Sequence, residues 1–324
     1  MSDPALDVQK LGFAPDLRVA GYYQMVRAFV KLGVFDACAD QPRSSQQLAE
    51  RCGIVALPAF ERLLSAAVDL GFFVCVGGLF ELGPYGEVVT DPERKAWLLH
   101  RHMEADWFEH LGPYLQTGES RRFHDTMSSE DWKVYQEAFQ FMRSGAKLAA
   151  MTFANDATRI LDIGGASGVV VKPVLDRYPR AVATIIDFPE VVRMMDGKVN
   201  TGVYAGRLAY QVGDARTLEI PTDTYDVVII ANLLHHLPRR DAEQLLRRAA
   251  RALPAGGSLA VLHGFMSVGG GDGFEKIGSL LFTLSSGEED LPYEAFCALL
   301  AAEGLAPPRT SGGWQLSTKH TEAQ

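Results

Sequence analysis

Three acids and a histidine stand where apolar runs give out, and their spacing could hold a nucleoside and move a proton. The first acid lies in Arg159-Ile160-Leu161-Asp162-Ile163-Gly164-Gly165-Ala166-Ser167-Gly168, an apolar run followed by a glycine-rich turn and an amphipathic segment over 169–178. This reads as strand, tight turn and helix. Glycine is needed in such a turn because a ligand must come within contact distance of the backbone. About 20 residues on, a second apolar run over 181–186 ends in Asp187. A carboxylate at a strand end can accept hydrogen bonds from both hydroxyls of a ribose. The chemistry implied is the binding of an adenosine-containing cofactor.

The glycine pattern narrows the ligand. Dinucleotide sites read G-x-G-x-x-G and set a pyrophosphate on the helix N-terminus. Here the turn is Gly164-Gly165-Ala166-Ser167-Gly168, and no Lys-Ser/Thr pair follows to make a phosphate loop. Asp162, just before it, suits a ligand with an amino group. His235 follows the apolar run 225–231 and Asn232-Leu233-Leu234. An imidazole, with an ordinary pKa of about 6.5, can accept a proton near neutral pH.

These residues need a frame. From residue 157 the pattern alternates between apolar strands, at 159–163, 182–187, 208–212, 225–231 and 258–263, and helices at 169–178, 190–195 and 241–253. Continuous apolar strands between helices predict a doubly wound, mostly parallel α/β sheet covered on both faces. Ligands bind such sheets at the strand C-termini, where the glycine turn, Asp187, Asp214 and His235 all fall.

The first hundred residues are mainly helical. Helical spacing runs over 16–32; Ser44 with Gln47 makes a capping-box pattern, and Gly53 ends that helix. A helix over 57–70 closes at Gly71, and Phe72-Phe73-Val74-Cys75-Val76, Gly77-Gly78 and Leu79-Phe80-Glu81-Leu82 form a hairpin. Helix, turn, helix and a two-stranded wing are a winged-helix pattern, expected over 1–100. Its candidate recognition helix is apolar with two acids and one base, which argues for packing and against DNA. Residues 101–150 are helical and aromatic-rich; Phe123, Met127, Phe139 and Met142 are the expected pocket-lining residues there. The α/β domain is expected over 151–324.

The chain has 324 residues, 47% hydrophobic and 22% charged, with a net charge of −9 and no basic run. That balance argues against nucleic acid or an anionic membrane as partner. No stretch is long enough to span a bilayer, and no signal peptide is read at the N-terminus. The four cysteines are scattered, so reduced thiols and a cytoplasmic location are expected.

Taken in order, these motifs resemble the small-molecule O-methyltransferases of plant-phenolic and bacterial natural-product type. The resemblance spans Phe35-Asp36-Ala37, Ser45-Gln46-Gln47-Leu48-Ala49, Arg62-Leu63-Leu64 and Leu70-Gly71-Phe72-Phe73. It continues through Leu161-Asp162-Ile163-Gly164-Gly165, Asp187-Phe188-Pro189-Glu190-Val191, Gly213-Asp214-Ala215, Leu234-His235 and Leu253-Pro254-Ala255-Gly256-Gly257. It implies a winged-helix dimerisation domain, a class I Rossmann-like methyltransferase domain, S-adenosylmethionine as cofactor, a small-molecule methyl acceptor and a homodimer. Carried over, Gly164, Gly165 and Gly168 would receive the methionine part beside Asp162. Asp187 and Phe188 would hold the ribose, Asp214 and Ala215 the adenine. Asn232 and Leu233 would lie near the methionyl end, and His235 would be the general base.

The chain also departs from that pattern. Family members follow the histidine with Asp or Asn and then Trp; here His235-His236-Leu237-Pro238 stands. The next strand ends in His263 where many members carry an acid, and the acid that orients the histidine falls on Glu289 or Asp290. His236 and His263 are then expected to line the acceptor site. Two alternatives follow: S-, N- or C-methylation of a small acid or thioether, either at an atom that needs no deprotonation or with a metal on His235, His236, His263 and a carboxylate of 288–290; or a non-catalytic cofactor-sensing winged-helix regulator. Adjacent histidines on a strand face opposite sides and could converge only past the strand end.

Overall fold

The computed structural model describes residues 15–153, 159–195, 202–264, 273–287 and 291–321, with backbone alone at 15–17 and 273–279. The chain forms two compact units, Met1–His102 and Met103–Gln324.

The first unit begins with helices α1 (Pro15–Lys31) and α2 (Val34–Ala37), strand β1 (Arg43–Ser44) and helix α3 (Ser45–Cys52). The Ser44–Gln47 capping box is present: Gln47 N–H donates to Ser44 Oγ, and Ser44 N–H donates to Gln47 Oε1. Gly53 ends α3 in the left-handed conformation, φ 68°. Helix α4 (Leu57–Asp69), strands β2 (Phe73–Val76) and β3 (Leu79–Leu82), and helix α5 (Pro84–Thr90) follow. The hairpin turns at Gly77 and Gly78, both at positive φ, as a tight two-residue turn requires. β1 adds to β3, giving a small antiparallel sheet in the order β1-β3-β2. The core is aromatic: Phe35 stacks on Phe73, with Phe29 and Phe60 around them. Val55, Val76 and Tyr85 stay exposed on this unit.

Helix α6 (Pro92–Trp107) leads to α7 (Leu111–Thr117), a 3-10 turn at Phe123–Thr126, α8 (Ser129–Phe139) and α9 (Ser144–Ala149). The α/β part then runs β4 (Arg159–Ile163), α10 (Val171–Arg177), β5 (Val182–Asp187), α11 (Pro189–Met195), β6 (Leu208–Val212), β7 (Val227–Ala231), α12 (Arg239–Arg251), β8 (Ser258–Leu262), α13 (Gly273–Ser286), α14 (Tyr293–Ala302), β9 (Arg309–Ser311) and β10 (Trp314–Thr318). Among the described residues these strands make one sheet in the order β6-β5-β4-β7-β8-β10-β9. β4 through β8 are parallel; β10 is antiparallel to both β8 and β9.

Why the central strands are apolar throughout is plain from the layers on them. One face packs on Leu245, Leu246 and Ala249 of α12 and Phe296 and Leu300 of α14. The other packs on Leu148 of α9 and Val171, Val174 and Leu175 of α10. With no face left to water in the central strands β4, β7 and β8, alternation is lost there, while the edge strands β6 and β9 are largely exposed. Chain order reverses between β4 and β7, so the crevice beyond their C-terminal ends is the switch point where such sheets bind ligands.

Two details differ from expectation. The strand expected from residue 225 starts at Val227, because the N–H groups of Thr224 and Tyr225 both donate to Ala252 O. The β9–β10 hairpin was not anticipated; its turn is Gly312-Gly313, both at positive φ.

Candidate active site

A cavity opens at that switch point, lined wholly by residues of the second unit. Its floor is the glycine turn. Gly164 and Gly168 take φ of 70° and 74°, and Ala166 is held at φ 50°. A non-glycine residue there is uncommon and needs an anchor. Ala166 has two: its N–H donates to Asp187 Oδ2 at 2.8 Å, and its carbonyl accepts from Tyr210 Oη at 2.8 Å. A Cβ on Gly165 would stand 2.6 Å from Cγ of Asp162, so only glycine leaves this carboxylate its place.

Asp162 is fully buried beneath the turn, and neither oxygen has a hydrogen-bond partner among the described residues. Burial, and then the nearby charge of Asp187, push its carboxyl up to about 8. A buried acid without a partner is costly, and a cation is what would relieve it. Asp187 closes β5. Its Oδ1 accepts from Phe188 N–H at 2.8 Å and its Oδ2 from Ala166. Burial pushes Asp187 up to about 6 in spite of those two bonds. A carboxylate offers about four lone-pair positions, so two remain for a pair of hydroxyls. A buried carboxylate without a partner beneath the turn, and a second with two lone-pair positions open, make a donor set that suits S-adenosylmethionine, which carries an ammonium and a pair of ribose hydroxyls.

Asp214 follows β6 and Gly213, and its carboxylate lies in a fork. Arg216 donates from Nε to Oδ1 at 2.9 Å and from Nη2 to Oδ2 at 2.6 Å, and its backbone N–H bonds Oδ1. Burial raises Asp214, but these bonds outweigh it and hold the carboxyl below its ordinary range. The far edge of Arg216 reaches Asp125 of the 3-10 turn with two bonds, 2.9 and 3.1 Å. Arg216 thus ties the turn before α8 to the loop after β6, both on the cavity wall. Sequence reading missed this arginine; a base two residues after the acid, able to fold back on it, was the available signal. Asp125→Asn is expected to weaken S-adenosylhomocysteine binding about three- to tenfold by loosening this wall, as read by calorimetry. Unchanged affinity would show that the wall holds without the bridge.

The expected residues divide clearly. Gly164, Gly165, Asp187, Phe188, Asp214, Ala215, Asn232 and Leu233 line the cavity, as do Phe139, Met142 and His236. Asn232 sits just past β7 at φ 50°, its Nδ2 3.7 Å from the sulfur of Met142. Gly168 lies behind the wall, where a Cβ would meet Ile185. Phe123 is stacked on Trp107 at 4.6 Å, in an apolar cluster that also contains Met127; neither is among the lining residues. Trp132, Tyr135 and Gln136 of α8 and His124 line the cavity instead. Helical spacing marks Trp132, Tyr135 and Phe139 as one face but does not say whether that face is core or pocket.

His235 and His236 lie in a 3-10 turn past β7, where strand alternation no longer separates them. Their Nε2 atoms are 3.0 Å apart. His263, just past β8, is buried and stacks on His235 at 5.5 Å, while Phe282 of α13 lies 4.1 Å from His235. Among the described residues no group of three His, Cys, Asp or Glu side chains is arranged to hold a metal. Glu289 and Asp290, the expected acid partners, lie outside the described residues, as does Glu288.

Comparison with known proteins places this geometry. Residues 108–305 match the O-methyltransferase domain, and residues 21–90 match the O-methyltransferase dimerisation domain. The chain is 26% identical over 310 residues to a phenazine O-methyltransferase of Lysobacter antibioticus, covering 90% of each chain. It is 27% identical over 305 residues to a mitomycin biosynthesis 6-O-methyltransferase of Streptomyces lavendulae, covering 88% of this chain and 86% of that one. The structure of human N-acetylserotonin methyltransferase, solved with S-adenosylmethionine, superposes with a TM-score of 0.77 over 99% of this chain and 100% of that one, at 19% identity. The chain belongs to the family of S-adenosylmethionine-dependent O-methyltransferases.

Proposed function

We propose that this enzyme methylates a hydroxyl on a flat aromatic acceptor. The observation that carries the reading is the cavity itself. One end offers the glycine turn and Asp187, with Asp162 buried beneath the turn; the wall nearby is Trp132, Tyr135, Phe139 and Met142, with His236 of a histidine pair beside them. When bound, S-adenosylmethionine supplies a methyl group already activated on a sulfonium and leaves as S-adenosylhomocysteine. The chain's task is then alignment and proton removal. The rings of α8 hold a flat molecule by stacking. His235 takes the hydroxyl proton as the oxygen attacks, since a phenol attacks poorly until its proton leaves. One relative is named a phenazine O-methyltransferase, which supports an aromatic acceptor.

The test is a panel of hydroxylated bicyclic and tricyclic aromatics incubated with the cofactor and read by mass spectrometry and NMR. An O-methyl product supports the reading. A methyl found on carbon, nitrogen or sulfur, or none on any hydroxyl, overturns it.

The dimerisation-domain match over 21–90 supports a homodimer, and the exposed Val76 and Tyr85 of the first unit are apolar surface for it. Light scattering after gel filtration should give twice the chain mass; a monomer at micromolar concentration would refute it. Among the described residues no helix is long and apolar enough to cross a membrane. Cys38, Cys52, Cys75 and Cys297 are all free thiols, which supports a cytoplasmic setting.

A further inference from the structure

The proton acceptor just assigned to His235 has a partner that the family pattern does not provide. The side chain 3.0 Å from its Nε2 is the imidazole of His236, where the resemblance leads one to expect Asp or Asn. A ring nitrogen that bonds another ring nitrogen must donate to it or accept from it, so one proton lies on that line. Two imidazoles at this distance hold one shared proton well and a second poorly, because two like charges would face each other.

We infer that His235 and His236 act together as a single one-proton base, the proton taken from the acceptor being shared between their Nε2 atoms. The inference rests on the methyltransferase reading of the cavity. His236 lines the cavity and also packs against His124, whose ring centre is 4.3 Å away. Burial brings His124 down to about 4, so it is neutral at pH 7 and does not repel a proton on the pair. Phe282 lies 4.1 Å from His235 on the other side. The Phe282 ring over His235 favours an imidazolium. Among the described residues the ionisable rings packed on the pair are His124, from the 3-10 turn before α8, and His263, past β8. Helix α12 begins nearby with Arg239, already paired with Glu243.

The step balances. The acceptor O–H bond breaks as the carbon–oxygen bond forms, and the electron pair of the broken carbon–sulfur bond stays on sulfur. The proton goes to the pair, which passes from neutral to a single positive charge and returns its proton to water as product leaves. No oxidant or metal is needed.

Two measurements test this. The first needs no acceptor: ring-nitrogen NMR of histidine-labelled enzyme with S-adenosylhomocysteine, titrated from about pH 5 to 9. The two rings should take up one proton in a joint step, and His236→Gln should shift the titration of His235. Independent titration of the two rings overturns the pair even if methylation is found. The second uses the acceptor identified above. His235→Ala, His236→Ala and the double variant should each lose turnover to a similar level, on the order of 10²-fold, because groups acting as a unit do not add. His236→Asp should restore most of it and move the rising limb of the pH profile upward, since a carboxylate raises the basicity of His235. His236→Ala within twofold of the parent, or an unmoved limb in His236→Asp, overturns the inference. Joint titration with no O-methyl product from any hydroxyl would overturn the reading of the cavity instead.

Discussion

Asp187→Ala is expected to weaken S-adenosylhomocysteine binding by at least about 10²-fold, the largest effect of any single side chain in the site. Two hydroxyl bonds to a carboxylate, at roughly 1.5–3 kcal/mol each, account for that factor. A second loss adds to it. The carboxylate also accepts from Ala166 N–H, and that bond helps hold Ala166 at its positive φ. Without it the glycine turn loses one of its two anchors. The pH dependence carries the same signature. Hydroxyl donors favour the ionised carboxylate, and in the ligand-free chain Asp187 titrates at about 6. Protonation opposes binding, so affinity should fall as pH drops through about 6, by up to tenfold per unit. Calorimetry from about pH 5 to 8 should show this fall in the parent and lose it in Asp187→Ala, which keeps weak binding and only the slope that Asp162 contributes. A variant that still binds tightly would remove Asp187 from the ribose.

What could be read in the sequence follows from how local each signal is. The turn 164–168 and the acids at the strand ends are legible because glycine and carboxylate are fixed there by their own backbone. β4, β5 and β6 match the expected 159–163, 182–187 and 208–212; burial accounts for the apolar residues of β4 and β5, while β6 is a largely exposed edge strand. The Ser44–Gln47 box is equally local. The unread features join distant segments. Asp125 and Arg216 stand 91 residues apart, and nothing in either neighbourhood names the other. His124 meets His236 only through the tertiary fold. Phe123 and Phe139 look alike as aromatic residues in an apolar stretch, yet one stacks in a cluster on Trp107 and the other lines the cavity. The histidine pair is an intermediate case. Two adjacent histidines are visible at once, but that their rings meet depends on the turn past β7 being 3-10 and not extended.

The buried Asp162 has a consequence for stability as well as binding. In the ligand-free fold it titrates at about 8, raised chiefly by burial. In the unfolded chain a carboxyl titrates near its ordinary value, about 4. Between those two values the folded chain holds a proton that the unfolded chain has released, so stability falls as pH rises across the window. Asn carries no such charge. Asp162→Asn should therefore melt higher than the parent, with the gap widening from about pH 5 to 8 by on the order of 5 °C. A constant gap would mean that the acid is not protonated in the fold. The same variant should bind S-adenosylhomocysteine at least tenfold more weakly, because the ammonium loses its counter-ion. Protons give an independent reading. Near pH 7 the ligand-free Asp162 is mostly neutral; pairing with an ammonium ionises it, so binding should release close to one proton to the buffer. Titrations in buffers of different ionisation heat would detect that proton in the parent and find it gone in Asp162→Asn. If Asp162 holds the ammonium, stability given up beneath the glycine turn in the empty enzyme is recovered when the cofactor's cation arrives.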